Sequence, residues 1–388
     1  MHPWIQSLKK HFSTSLKKAP LKVLHGFGAP HNIPVWNPKR FDQMATEGYC
    51  QNVIVYRAVT LIARNLATVP WILHQGEKCL STHPLLDLLE NPNPLQTSVS
   101  FLESLTSYLL LSGNAYVELV SQNGADFQLY LLRPDRVQLV PQETSIHYLY
   151  TVDGQRRLIK PVKESVISPI LHLKTFHPLN DWYGMSPLEA ASFGIDQHNE
   201  IGRHNLSILH NGGRPSGALI LNTSEGEPLS EENYDTLREE VHTLFQGSHN
   251  AGRVAFLEGD MRWQEMSISP KDMDFVEGKY LAAREIAQAY GVPAMLVGVP
   301  GDATFANYKE ARLHLWEDTI LPLLDKVMAA INRWICPLYG PTLQFTYDAG
   351  SIPALVVRRE SLWTRMEKCS FLTDDEKREA LGYGPRLP

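Results

Sequence analysis

The stretch SPKDMDFVEGKYLAAREIAQAYGVPAMLVGVPGDAT, residues 269–304, decides how this 388-residue chain is organised. It opens on a helix start: Ser269 stands at the cap, Pro270 at the first helical position, and Asp272 where a capping box carries Glu. The helix this predicts runs to Tyr290, with Gly291 and Pro293 as stop signals. Met273, Val276, Tyr280, Ala283, Ala287 and Tyr290 form one apolar stripe; Phe275, Ala282, Ile286 and Ala289 form a second. A helix apolar on two sides needs two neighbours, from its own chain or from another subunit. Asp274, Glu277, Glu285 and Gln288 fall within ~80° of one another, a narrow polar face whose plain reading is a solvated outer surface. The glycines and prolines of residues 291–304 cannot continue the helix, so a loop is expected there.

Working outward, SPLE at 186–189 repeats the capping device and opens a helix expected to reach residue 211, stopped by Gly212 and Gly213. Between the two helices the pattern is strand, helix and strand: 217–221, 230–245, then 254–257 and 261–266. A compact insertion is therefore strung between two helices of similar length. Upstream, helices are expected at 52–67 and 100–111 and strands at 69–74 and 115–120. NPNP at 91–94 is a forced break, and Asp153 with Gly154 reads as a hairpin turn. The first 175 residues read as an α+β domain. Downstream, residues 305–336 predict ~48 Å of helix kinked at Pro322. A strand at 343–347, a helix beyond Pro353 and a capping box at Thr373 to Glu376 follow.

The composition, 43% hydrophobic and 20% charged, supports two or three compact units. Residues 1–40 carry seven basic side chains and no acidic one, while the remainder has 29 basic against 42 acidic. A body that grips DNA through phosphate neutralisation should be basic, and this one is acidic. The basic arm has Trp4, Ile5, Leu8, Phe12 and Leu16 at helical spacing, which suits a tail that orders on assembly, a nucleic-acid or surface contact, or a targeting segment. Cys50, Cys79, Cys336 and Cys369 make neither a disulfide framework nor a C-x-x-C zinc site. No stretch is long and apolar enough for a membrane span.

Other motifs dissolve on inspection. GSHNAGRV at 247–254 has phosphate-loop glycine spacing but ends in Arg253 and Val254, and lies between helix and strand rather than strand and helix. His198, His204 and His210 are six apart, ~240° around a helix, and cannot share one metal face. His172 and His177 flank a strand end, where a structural role is the ordinary one. No carboxylate pair shows opposed environments, and no cofactor or catalytic residue is indicated.

The order of elements, with eight motifs in sequence, resembles the portal proteins of tailed bacteriophages, in the variety of siphovirus-like phages, prophages and gene transfer agents. VYRAVTLIARNLATVPW (55–71), HPLLDLLENPNP (83–94), LSGNAYVELV (111–120), LRPDRV (132–137) and FHPLNDWYGMSPLEAA (176–191) carry it. GRPSGAL (213–219), the stretch 269–293 and GDATFANYKEA (301–311) continue it, and LTDDEKREALGYGP (372–385) looks like the C-terminal signature. FHPLNDWYG and VPGDATFANYKEA are most similar to the gene-transfer-agent subgroup.

The resemblance implies a ring, usually dodecameric, at one capsid vertex. Through it double-stranded DNA passes without sequence recognition, during packaging and again during ejection. A protomer would comprise a basic arm (1–40), an α+β wing (41–185), stem helices (186–211 and 269–291), a clip (212–268) and a channel loop (292–304). A long kinked helix with a wing strand (305–352) and a small crown (353–388) would complete it. Asp274, Glu277, Glu285 and Gln288 would line the channel, with Met295, Leu296, Val297, Val299 and Asp302 on the loop projecting into it. The clip, with four basic and ten acidic side chains over 213–268, would present Glu231, Glu232, Asp235, Glu239 and Glu240 to terminase and then to a head-tail adaptor. The implied partners are other copies of the chain, terminase, the adaptor and the major capsid protein. The implied location is the portal vertex of a virion or phage-like particle assembled in a bacterial cytoplasm. Gly194 and Gly202 would permit close stem-helix contact. The competing readings are a carboxylate-dependent nuclease or hydrolase in the N-terminal domain, and a monomeric adaptor binding membrane or nucleic acid through the basic arm.

Overall fold

Asn52 starts the helix around which the body is assembled. The computed structural model describes residues 41–121, 126–141, 146–161, 167–210, 217–221, 230–236, 239, 261–265, 275–301 and 305–381, all inside one unit, Trp36–Pro388. In it the Asn52 side-chain carbonyl accepts from the N–H groups of Ile54 and Val55 at 3.0 and 3.2 Å, satisfying orphan donors of the first turn. Helix α1 (Val53–Ala67) then buries Val55, Ala58, Val59, Ile62 and Leu66 along one face. Strands β1 (Trp71–Gln75) and β2 (Lys78–Leu80) form a hairpin. Helix α2 (Pro84–Glu90) ends at the proline break, and α3 (Ser98–Ser112) packs along α1 before Gly113, at φ 71°, turns the chain.

Two three-stranded antiparallel sheets follow. In the first, β3 (Asn114–Ser121) is central between β4 (Phe127–Leu132) and β8 (Ile170–Lys174). In the second, β6 (Ile146–Val152) lies between β5 (Val137–Pro141) and β7 (Gln155–Ile159). The β6–β7 turn holds Asp153 at φ 48° and Gly154 at φ 80°, as the Asp-Gly pair predicts. Tyr116, Leu132, Val137, Leu139, Tyr148, Ile159 and Ile170 make a core of their own.

The helix expected to run unbroken from Ser186 is interrupted. Ser186 caps a single turn, Pro187–Ala190, its hydroxyl accepting from Glu189 N–H at 3.0 Å. After Ala191 the long helix α4 (Ser192–His210) begins. Strands β9 (Gly217–Leu221) and β10 (Met261–Glu265) pair antiparallel, Gly217 opposite Glu265. Helix α5 (Phe275–Ala289) packs on α4; its expected cap at Ser269 and the strand at 254–257 lie outside the described residues.

The long C-terminal helix is not simply kinked at Pro322. Helix α6 (Phe305–His314) passes into a π-helical turn, Leu315–Ile320, and α7 (Leu321–Tyr339) starts again with Pro322 in its first turn. The N–H of Leu321 donates to Trp316 O, five residues back, and Pro322 has no N–H to place, so the wide turn absorbs the missing hydrogen bond. The α7 stripe Leu324, Val327, Met328, Ile331, Trp334 and Ile335 joins the main core. Asn332 then holds strand β11 (Leu343–Tyr347): its amide donates to Phe345 O at 2.9 Å and its carbonyl accepts from Phe345 N–H at 2.8 Å. Strand β11 pairs with β1, Trp71 opposite Tyr347, completing an α+β body from both halves of the chain. Helices α8 (Val356–Lys368) and α9 (Asp374–Ala380) finish it, α9 with the full capping box of Thr373 and Glu376. Among the described residues no helix is long and apolar enough to cross a membrane.

Candidate functional site

The helix pair α4/α5 and the loop after α5 carry most of the expected functional residues. Helix α5 buries Ala282, Ala283, Ile286 and Ala287 against the body. Its two apolar stripes merge into one buried face toward the C-terminus, whereas Val276 near the N-terminus is 66% exposed. Gly194 does what its spacing suggests: a Cβ there would stand 3.4 Å from Glu285 Oε2 and 3.5 Å from Ala282 O, so the two helices meet closely. Gly202 does not; nothing within 4 Å would meet its Cβ.

On the outer face Glu277, Glu285 and Gln288 are exposed, while Asp274 lies outside the described residues. The face is less uniformly acidic than the four chosen positions imply. Leu281, 54% exposed, sits among them, and Arg284 stands beside them. Both positions follow from the 100° step that picked out the carboxylates. The Arg284 guanidinium donates to Pro300 O at 2.9 Å and so ties α5 to the loop.

The loop is anchored at its start. Gly291 adopts φ 67°, and Thr319 in the π-helical turn donates its hydroxyl proton to Gly291 O at 2.7 Å. A short 3-10 turn, Ala294–Val297, follows Pro293 and ends at Gly298 with φ 86°. Within the protomer Leu296, Val297 and Val299 are buried in the main core, with Met295 half-buried against it. Four apolar side chains gain more from that core than from water. Asp302 lies outside the described residues.

In the insertion, Glu231, Glu232 and Asp235 are exposed on the helical turn 231–236, and Glu239 is exposed beyond it. Ser230 opens that turn, its hydroxyl accepting from Asn233 N–H at 3.3 Å. Glu240 lies outside the described residues.

The histidines take structural roles. His198 is buried where α4 crosses the start of α1, and Asn52 Nδ2 donates to its Nδ1 at 3.2 Å. Burial, reinforced by Lys279, pushes its pKa down. His172 stacks on Tyr116 at 4.4 Å and contacts Asn114 Oδ1 at 3.0 Å; burial, with Lys174 adding, lowers its pKa to about 4. Both therefore stay neutral near pH 7. His204 lies 4.8 Å from the Phe275 ring, centroid to centroid. Among the described residues no group of three or more His, Cys, Asp or Glu side chains is placed to hold a metal.

An α+β body with a helix pair interrupted by a small β-stranded insertion, and a braced glycine-proline loop leading into a long broken helix, is the protomer architecture of a portal. The family model described as phage portal protein matches residues 53–382, and the chain belongs to that family. It is 42% identical over 355 residues to an uncharacterized protein of Rickettsia bellii, covering 91% of each chain. It is 24% identical over 327 residues to the portal protein of Enterobacteria phage HK97, covering 81% of this chain and 71% of that one. Among solved structures, a chain from the neck of a native GTA particle computed with C12 symmetry matches with a TM-score of 0.70 and 40% identity, covering 91% of this chain and 96% of that one.

Proposed function

We propose that the chain assembles into a closed ring of about a dozen copies at one vertex of a gene-transfer-agent-like particle, as a head-to-tail interface whose rotation closes allows. Double-stranded DNA crosses that ring without sequence recognition. The observation that carries the reading is the likeness, over nearly all of both chains, to a neck chain computed with C12 symmetry. Apolar side chains left outside the protomer support it: Leu206 and Leu209 on α4 and Val276 on α5 are each more than half exposed, a cost that a neighbouring copy would remove.

Within the ring, Glu277, Glu285 and Gln288, with Asp274, face the lumen. The carboxylates of Asp274, Glu277 and Glu285 repel phosphates, so the duplex is centred rather than held. The loop at 292–304 approaches the DNA with its backbone and with Asp302, since Leu296, Val297 and Val299 serve the core. Glu231, Glu232, Asp235, Glu239 and Glu240 on the insertion meet the basic surfaces of terminase and then of the head-tail adaptor. The body contacts the major capsid protein. Packaging energy comes from the terminase, and the ring itself performs no chemistry.

Mass photometry of the purified chain tests the assembly: a discrete species of about twelve 43.8 kDa subunits is expected. A monomer at every concentration would overturn the reading. Charge reversal at Glu231, Glu232 and Asp235 tests docking, with loss of packaging or tail joining in particles whose rings still form; unaffected packaging and joining would refute the clip assignment.

A further inference from the structure

Arg57 and Leu61 on α1 are four residues apart, as are Tyr308 and Arg312 on α6, so each pair stands on one side of its helix. Between the two rows lies a cleft of about 200 Å³ whose lining includes the buried side chains of Leu296 and Trp316. The π-helical turn helps make it, because Leu315 and Trp316, the first two residues of that turn, both reach its wall. Two cations line the cleft and no carboxylate does. Both arginines are exposed, and among the described residues neither guanidinium has an ion-pair partner. Tyr308 beside them is 45% exposed.

Arginine, tyrosine and tryptophan around a small apolar floor is the composition that anchors protein partners. A DNA backbone fits the cleft poorly. Duplex binding relies on several cations spread along the phosphates, whereas only two are present, and an apolar floor gains nothing from a phosphate. Charge complementarity points to the chain itself, which beyond residue 40 carries 42 acidic against 29 basic side chains.

We propose that this cleft is a contact between copies: it receives a carboxylate-bearing apolar segment of the neighbouring copy. The carboxylate pairs with Arg57 and Arg312, and the apolar part packs on the exposed Tyr308 ring and half-buried Leu61. The contact lies against the 3-10 turn of the loop and the π-helical turn, so one copy would brace the loop of the next. This inference rests on the ring reading above.

The test uses the full-length chain. Mass photometry across a concentration series should show R57E/R312E needing at least about tenfold more protein to form rings. R57K/R312K should stay closer to the unaltered chain, and the melting of dilute monomer should be unchanged because both side chains are exposed. A photo-crosslinking amino acid replacing Tyr308 should join two copies, shown by mixed-isotope crosslinks in rings assembled from light and heavy chains and mapping to a segment that contains Asp or Glu. Rings of R57E/R312E forming at the unaltered concentration, crosslinks only within one copy, or crosslinks to DNA in filled particles would each overturn the cleft contact and leave the ring standing. A chain that forms no ring at all would overturn the ring reading with it.

Discussion

Replacing Gly291 with Ala measures how firmly the loop is anchored. The residue sits at φ 67°, where a side chain costs about 1–2 kcal/mol. A Cβ there would also stand 2.6 Å from Thr319 Oγ1, closer than any real contact. Relieving that overlap means displacing Thr319 and weakening its 2.7 Å hydrogen bond to Gly291 O, a further loss of about 1–2 kcal/mol. The expected total is about 2–4 kcal/mol. Gly298 is the internal control, since it has φ 86° but nothing within 4 Å of its would-be Cβ, so Gly298→Ala should cost only the backbone strain, about 1–2 kcal/mol. Thr319→Ala alone should cost about 1 kcal/mol, and the double variant less than the sum of its parts because the overlap is gone. Urea unfolding of dilute chain, followed by tryptophan fluorescence, reads all four. If Gly291→Ala costs no more than Gly298→Ala, or the double variant is additive, the anchoring argument is wrong.

Asn332→Ala should lower stability by about 2–3 kcal/mol, because it leaves both backbone groups of Phe345 without their partner; faster proteolysis around β11 would accompany it, and unchanged protection would refute the role. Acid should destabilise the body through His172, whose folded pKa of about 4 lies below the ordinary value of 6.5. Between those values the unfolded chain binds the extra proton, so stability present above pH 6.5 is lost as pH falls toward 4, by up to about 3 kcal/mol. Denaturant midpoints for His172→Gln should be flatter over that window, and an equally steep loss would assign the effect elsewhere. Reversing the charge of the proposed channel face with E277K/E285K should slow DNA passage and make it salt-sensitive, since each added cation can hold a phosphate. Packaging rates indifferent to both substitution and salt would place those residues away from the DNA.

Local signals were legible without coordinates. The caps at Ser186 and Thr373, the Asp-Gly hairpin and the helix that ends at Gly113 each depend on residues within one or two turns of each other. The candidate polar face of α5 was legible for the same reason, because a fixed angular step places residues around a helix. That step also brings Leu281 and Arg284 to the face, and a selection by acidity passed over them.

Other features needed distant parts of the chain to meet. Strand β1 finds β11 from the far end of the molecule, and neither run names its partner, since any apolar strand offers the same backbone donors and acceptors. Leu296, Val297 and Val299 belong to a stretch that glycine and proline mark as a loop, but a loop's side chains point where the nearest core has room. Pro322 announced a break in a helix, while the form of that break, a π-helical turn whose Thr319 holds Gly291, depends on what packs against it. Arg57 and Arg312 are unremarkable surface arginines until the fold brings α1 and α6 to one cleft. The sequence by itself determined the helices, their ends, the family and the glycine-proline loop, because turns and caps are short-range chemistry. The tertiary structure alone decided how that loop packs, how the long helix is broken and which charges share a cleft, because those follow from contacts between separate elements, such as Thr319 with Gly291 and the α1 and α6 rows around the cleft.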